Sequence, residues 1–362
     1  MLHPVPNSKH RDTLLLVVEL QQQLLTALCA LPEGTTVDLV WLQNLWEACD
    51  AGWVRRFWEN DLEKRSKWIK RIAAAPAADK KAIRNLAAEQ LRFPEVYNDP
   101  PTMRLSRHEW GNEPLSSLKS LLKSFYSPYF YGNEGYGTPC AVEGQNFTKD
   151  IFILGFPDGG PKVCPYCDNN TRNLELDHFL PQDEFPLLSC HPDNLIPSCH
   201  DCNSITEKGT KVPLSLNAPV QAADWFHPRR RSAWQKIRVA FYEDAEHQPQ
   251  MRLEPVDPAD ARRVEKLEWL FGLASFWGRH TKPDIQHIGS EVSDLLRADG
   301  LPASPDVVRR KLRTLASLER NRLGKRGLAI AQSGLYEFLS GNDMLVRDIV
   351  LQCTQDAVPV GP

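Results

Sequence analysis

Two Cys-x-x-Cys pairs, Cys164/Cys167 and Cys199/Cys202, restrict what this chain can fold into more than any other feature. Two residues between thiolates is the loop length that turns both sulfurs onto one tetrahedral metal ion, and a second pair completes a closed four-cysteine shell. The 31 residues between Cys167 and Cys199 exceed the usual zinc-ribbon gap, so the insert is expected to carry structure of its own. Disulfides are the competing reading. Nine cysteines are an odd number and the N-terminus lacks a cleavage pattern, so a structural zinc in a reducing compartment is the expectation. Cys29, Cys49, Cys140, Cys190 and Cys353 lack the spacing and read as small buried or surface residues.

The insert contains Leu174-Glu175-Leu176-Asp177-His178-Phe179-Leu180-Pro181, a short alternating stretch closed by proline that predicts a strand. Asn194-Leu195 follows, then Cys199-His200-Asp201-Cys202-Asn203, then Lys208-Gly209. From Cys164 to about Gly209 the chain resembles the HNH endonuclease family in its four-cysteine form. That pattern has a first knuckle, an Asp-His followed by Pro, an Asn-Leu, and a second knuckle running into Asn.

The resemblance implies a ββα-metal module: a hairpin and a helix around one catalytic divalent cation, stapled by a separate structural zinc. It implies His178 as general base, since a neutral imidazole can take a proton from water near neutral pH. Asp177 and Asn203 would be oxygen ligands of the catalytic ion, a pair that suits Mg2+ or Mn2+ better than zinc. Asn194 would hold the loop and orient the base, and Lys208 would sit near the phosphate. Products with 5′-phosphate and 3′-hydroxyl ends are likewise implied. Adjacent residues of a regular strand face opposite ways, so Asp177 and His178 can share a site only where the strand ends or bends. His191 and His200 read as surface histidines.

Charge argues against an unaided grip on nucleic acid. The net charge is −3, and residues 161–215 hold four Lys/Arg against eight Asp/Glu. DNA contacts are therefore expected from the flanks: the triple Arg229-Arg230-Arg231, and residues 305–326 with eight Lys/Arg against two Asp/Glu. Segment 55–71, with seven basic and three acidic residues, is a further guide for DNA or a solvated helix face.

Composition, 42% hydrophobic and 25% charged, is that of ordinary globular protein. The apolar run at Leu14–Leu20, interrupted by Glu19, reads as too short and polar to span a bilayer, so no membrane partner is expected and the location is read as cytoplasmic. Helices are expected over 12–31, 37–73, 77–91 and 113–124, and again from Asp257-Pro258 to about Gly278 and over 284–298, 305–322 and 325–340. Trp41, Trp46, Trp53 and Trp58 read as core or a docking surface rather than a base-stacking stripe. An aromatic, glycine-rich loop is expected over 125–161, a Trp225-Phe226-His227-Pro228 element after the second knuckle, and a hairpin from Lys236–Tyr242 and Met251–Val256.

The fold class expected is α+β and mainly α-helical. A helical region (1–135) precedes a zinc-stapled HNH module (136–216), followed by an Arg-rich segment with a hairpin (217–257) and a helical region (258–362). The function expected is a metal-dependent DNA endonuclease. Its setting, on the resemblance, is bacterial anti-phage defence, with a protein partner such as a defence ATPase or sensor, or another signal, governing when it cuts. Two alternatives stay open: an inert zinc-bound nucleic-acid-binding or scaffolding protein, and a sequence-specific restriction or mobile-element nuclease.

Overall fold

The computed structural model describes residues 2–59, 65–98, 105, 110–111, 113–132, 135–171, 173–204, 208–209, 211–213, 224–243 and 249–355. The architecture is α+β and mainly helical, with two small antiparallel hairpins. Backbone contacts group the chain into two compact units, each assembled from separated stretches. An N-terminal unit comprises Val5–Pro161 and Asn173–Arg231, and a C-terminal unit comprises Met1–Pro4, Lys162–Arg172 and Ser232–Pro362.

The N-terminal unit opens with α1 (Arg11–Ala30), α2 (Leu39–Leu45), α3 (Ala51–Glu59), α4 (Arg65–Ala74), α5 (Ala77–Gln90) and the single turn α6 (Phe93–Val96). The expected helix over 37–73 is therefore broken. Asp38 caps α2 through the Trp41 amide at 2.9 Å, and Asp50 restarts the chain by accepting from the Trp53 amide at 2.7 Å. Those bonds satisfy orphan N–H groups at each new start, which favours two short helices over one long one. The basic stretch around α4 is not uniformly solvated. Arg65 is fully buried, its guanidinium 4.7 Å from the Tyr129 ring centre and donating to the Phe57 carbonyl at 2.7 Å.

Helix α1 is long and apolar enough, by length and composition alone, to cross a membrane, as the core helix of a folded unit also can be. Its buried side chains include Leu14, Val17, Val18, Leu24, Leu25 and Leu28, and it packs against α2, α4 and α5. Burial of that kind accounts for the apolar composition without lipid.

Helix α7 (Leu115–Ser124) runs into a helical turn at Phe125–Phe130 where a loop was expected. Phe125, Tyr129 and Phe130 are fully buried there. Phe125 and Tyr129 join Trp46, Trp53 and Phe57 in an aromatic core with ring centres 5.1–6.2 Å apart. Trp46 and Trp53 are thus core, as expected. After α8 (Lys149–Leu154), β1 (Glu175–His178) pairs antiparallel with β2 (Leu195–Ser198), and the turn α9 (His200–Asn203) follows.

The C-terminal unit contains the expected hairpin, β3 (Ile237–Glu243) against β4 (Pro249–Pro255), whose polar turn lies outside the described residues. Helices α10 (Ala261–Phe271), α11 (Leu273–Ala298), α12 (Pro305–Asn321), α13 (Ala329–Gly341) and α14 (Asp343–Gln355) follow. The break between α10 and α11 falls at Gly272, whose φ of +57° suits glycine, rather than at Gly278. Helices α11 to α14 enclose a core of Val292, Leu296, Val308, Leu312, Leu335 and Val346.

Candidate metal centre and catalytic hairpin

The first knuckle closes tightly. The Cys164 amide donates to the Asn169 carbonyl at 2.7 Å, and the Asp168 amide to the Cys164 carbonyl at 3.0 Å. Asp168 takes a left-handed φ of +59°, turning the chain back behind the two thiols. The turn is anchored within the C-terminal unit. Tyr166 stacks on Phe271 with ring centres 4.6 Å apart, and the Trp277 indole donates to the Cys167 carbonyl at 2.7 Å. The buried Asp168 carboxylate receives the Ile330 amide at 3.1 Å and meets His3 Nε2 at 2.5 Å.

The second knuckle leaves the end of β2 and enters α9, with the Asn203 amide donating to the Cys199 carbonyl at 3.2 Å. The sulfurs of Cys164, Cys167, Cys199 and Cys202 lie within 4.8 Å of one another and all four residues are buried. None of them is in a disulfide. A zinc–sulfur bond of about 2.3 Å makes a tetrahedron with sulfurs roughly 3.8 Å apart, so the cluster can hold a metal ion. Four thiolates form the donor set of a structural zinc, and a soft, closed shell leaves no position for chemistry.

The chemistry expected of the hairpin rests on where β1 ends. Asp177 pairs with Ile196 and His178 with Leu195, and beyond them the Phe179 amide donates to the Asn194 carbonyl at 2.8 Å. Asn194 is fully buried and clamps the following loop. Its Oδ1 accepts from the Leu180 amide at 2.7 Å, and its Nδ2 donates to the carbonyls of Leu180 and Leu188 at 3.0 and 3.1 Å. The next residue in that loop, Ser189, presents its carbonyl 3.0 Å from His178 Nε2. A carbonyl can only accept, so Nε2 carries the proton and Nδ1 is left as the basic nitrogen.

His178 retains part of its exposure and lies edge-on to Tyr126, with ring centres 4.3 Å apart. Burial pushes its pKa down to about 4, opposed by Asp177 and by the Ser189 carbonyl. The ring is therefore neutral at pH 7, able to accept a proton.

Asp177 is 5% exposed and its Oδ1 receives the Lys208 ammonium at 2.9 Å. Lys208 also donates to the His178 carbonyl at 2.6 Å and is 1% exposed. It is drawn inward by a buried carboxylate. Asn203 donates through Nδ2 to Glu175 Oε2 at 2.6 Å, and His200 Nδ1 lies 2.8 Å from Glu175 Oε1. Burial raises the Glu175 pKa, but the bonds from Asn203 and His200 outweigh it and hold the group below the ordinary carboxylate range. The same pairing lifts His200.

His200 is exposed, as expected, whereas His191 is buried against Phe93, with ring centres 5.0 Å apart. The three arginines are not a free basic patch. Arg231 is buried and donates to the carbonyls of Tyr97, Asn98 and Trp225, so it has no path to a phosphate here. Arg230 pairs with the buried Asp193, as does Arg11 at 3.3 Å. Arg229 donates to the carbonyls of Pro6 and Leu195 at 2.6 and 3.3 Å. Each guanidinium answers an acceptor near the knuckle–hairpin core, which a run of like charge in sequence does not reveal.

Glu175, Ser189 and Tyr126 escaped the sequence reading. Glu175 had a signal, since it stands two residues before Asp177 on an alternating strand and shares its face. Ser189 acts through its backbone, and nothing in the sequence marks it.

The fold and site together define a mainly helical α+β protein with a buried four-cysteine cluster able to hold a metal ion, and a short hairpin bearing Asp177 and His178. No protein-family model and no solved structure matches the chain. It is 48% identical over 46 residues to Protein ea31 of Escherichia phage lambda, covering 13% of this chain and 15% of that protein. It is 43% identical over 66 residues to Septu protein PtuB of Bacillus thuringiensis, covering 17% of this chain and 25% of that protein. The chain thus spans a quarter or less of the length of these relatives.

Proposed function

We propose that the protein is a metal-dependent endonuclease of the HNH type that hydrolyses DNA phosphodiester bonds. The observation that carries this reading is His178: a neutral imidazole tied through Nε2–H to a clamped backbone carbonyl, adjacent to a buried carboxylate at a strand end. In this reading Nδ1 of His178 takes the proton from the attacking water, and Asn194 keeps the Ser189 carbonyl in place so that the ring cannot turn away. Asp177 and Asn203 would supply the oxygen donors for Mg2+ or Mn2+, a hard donor set suited to a hard cation. When bound, that ion would act as a Lewis acid on the scissile phosphate and stabilise the leaving oxygen. Lys208 adds a fixed positive charge to the same corner of the hairpin. The zinc shell holds the knuckles and takes no part in the chemistry.

The partial likeness to a Septu protein supports a setting in bacterial anti-phage defence, in the cytoplasm, with DNA as substrate and a protein partner controlling access. The acidic character of residues 161–215 supports the need for such help in holding DNA.

Nicking of supercoiled plasmid with Mn2+ or Mg2+ tests the reading. Wild type should nick, EDTA should abolish it, and His178→Ala should lower the rate on the order of 10²-fold or more. Equal activity in the variant would remove His178 from the mechanism. The Lys208–Asp177 pair favours a second reading, an inert zinc-bound DNA-binding or scaffolding protein, because an ammonium already neutralises the key carboxylate. Wild type that binds DNA yet never nicks, with or without the products of neighbouring genes, would select it.

A further inference from the structure

Asn203 poses a problem of orientation. Its side-chain amide carries an oxygen on one side and an NH2 on the other, and only the oxygen can hold a cation. Asn203 sits part-buried at the end of a single helical turn. Glu175 makes the choice. Its carboxylate accepts and cannot donate, so the amide must present Nδ2 to Oε2, as it does at 2.6 Å. Rotating the amide would set two oxygens against each other. The carboxylate is itself held from the other side by His200 Nδ1 at 2.8 Å, and His200 and Asn203 stand i and i+3 on α9. Glu175 and Asp177 lie two residues apart on β1, hence on one strand face, so a single strand fixes both donors of the proposed ion.

We infer that Glu175 is a positioning residue that locks Asn203 with its amide oxygen available to a divalent cation. This rests on the reading of Asp177 and Asn203 as the holders of the catalytic ion. Glu175 does not touch that ion, since its two oxygens are engaged by Asn203 and His200.

The test is Mn2+ binding to the full, zinc-loaded chain, followed by calorimetric titration in four proteins: wild type, Glu175→Gln, Asn203→Asp and the double variant. Glutamine is isosteric but can donate as well as accept, so the amide loses its enforced orientation. Glu175→Gln should weaken Mn2+ binding about 10-fold or more, the scale seen when a partner of a metal ligand is removed. An aspartate at 203 has oxygens on both sides and needs no orienting, and glutamine can donate to it where glutamate only repels, so in the Asn203→Asp background the same change should no longer weaken binding. Glu175→Ala, also checked for zinc content and melting temperature, should repeat the loss seen with glutamine. Unchanged affinity in Glu175→Gln, or an equal loss in both backgrounds, overturns the positioning role. If wild type binds no Mn2+ beyond its zinc, the proposed catalytic centre itself fails, and the inference with it.

Discussion

His191 gives the N-terminal unit a measurable acid sensitivity. Its ring is 6% exposed, and Nδ1 accepts the Asp193 amide at 3.2 Å. Burial is the largest influence on its pKa, and Arg11, Arg230 and Arg229 push the same way against Asp193, bringing it down from 6.5 to about 4. The ring is therefore neutral in the folded chain, and protonation would also break the bond to Asp193. The unfolded chain takes up a proton at pH values where the folded one refuses it, so stability is fully present above pH 6.5 and is lost as pH falls towards 4. The fall from 6.5 to about 4 corresponds to about 3 kcal/mol in all, of which about 2 kcal/mol falls between pH 7.5 and 5.0. His191→Gln keeps an acceptor for the Asp193 amide and removes the titration. Urea unfolding of zinc-loaded wild type and variant, at both pH values, isolates the effect, because thiolate protonation, His178 and the buried His227 contribute equally to each protein. The stability lost on acidification should be about 2 kcal/mol smaller in the variant. Parallel losses in the two proteins would show that His191 is not held neutral by burial.

Two further outcomes follow from the same structure. Cys167→Ser should lose the zinc and destabilise the chain, since a four-thiolate shell contributes folding energy directly; metal analysis and thermal melting check it, and a variant with full zinc and an unchanged melting temperature would remove Cys167 from the shell. Arg231→Ala should destabilise by about 3 kcal/mol by stripping donors from three backbone carbonyls, with DNA affinity of the folded variant preserved. A normal melting temperature with weakened DNA binding would return Arg231 to the role of a phosphate contact.

What could be read from sequence divides along physical lines. The knuckles were legible because the spacing of Cys164, Cys167, Cys199 and Cys202 encodes a geometry directly. The hairpin was legible because Leu174 to Pro181 alternates and then stops. The single helix expected over 37–73 was not, because local capping by Asp50 overrides an uninterrupted apolar pattern. Arg229, Arg230 and Arg231 show the limit most clearly. Sequence gives their charge, but whether each finds a carbonyl, a buried Asp193 or a phosphate depends on segments far away in the chain. His191 was misplaced for the same reason, being polar in sequence and buried through partners that sequence does not pair. The expected intervals 1–135, 136–216, 217–257 and 258–362 were sequential, whereas each compact unit draws on separated stretches.

That discontinuity has a consequence for the order in which a ribosome delivers the parts. The N-terminal unit is incomplete until Arg231 has been made, because Trp225 to Arg231 supply its last contacts. Leu2, whose amide donates to the Pro165 carbonyl at 2.7 Å, and His3, bonded to Asp168, belong with the helices that follow Ser232. Leu2 and His3 thus wait for partners made long after them. A half-made chain holds no finished hairpin site, so if the protein cuts DNA, the cell is spared that activity until translation is well past the second knuckle.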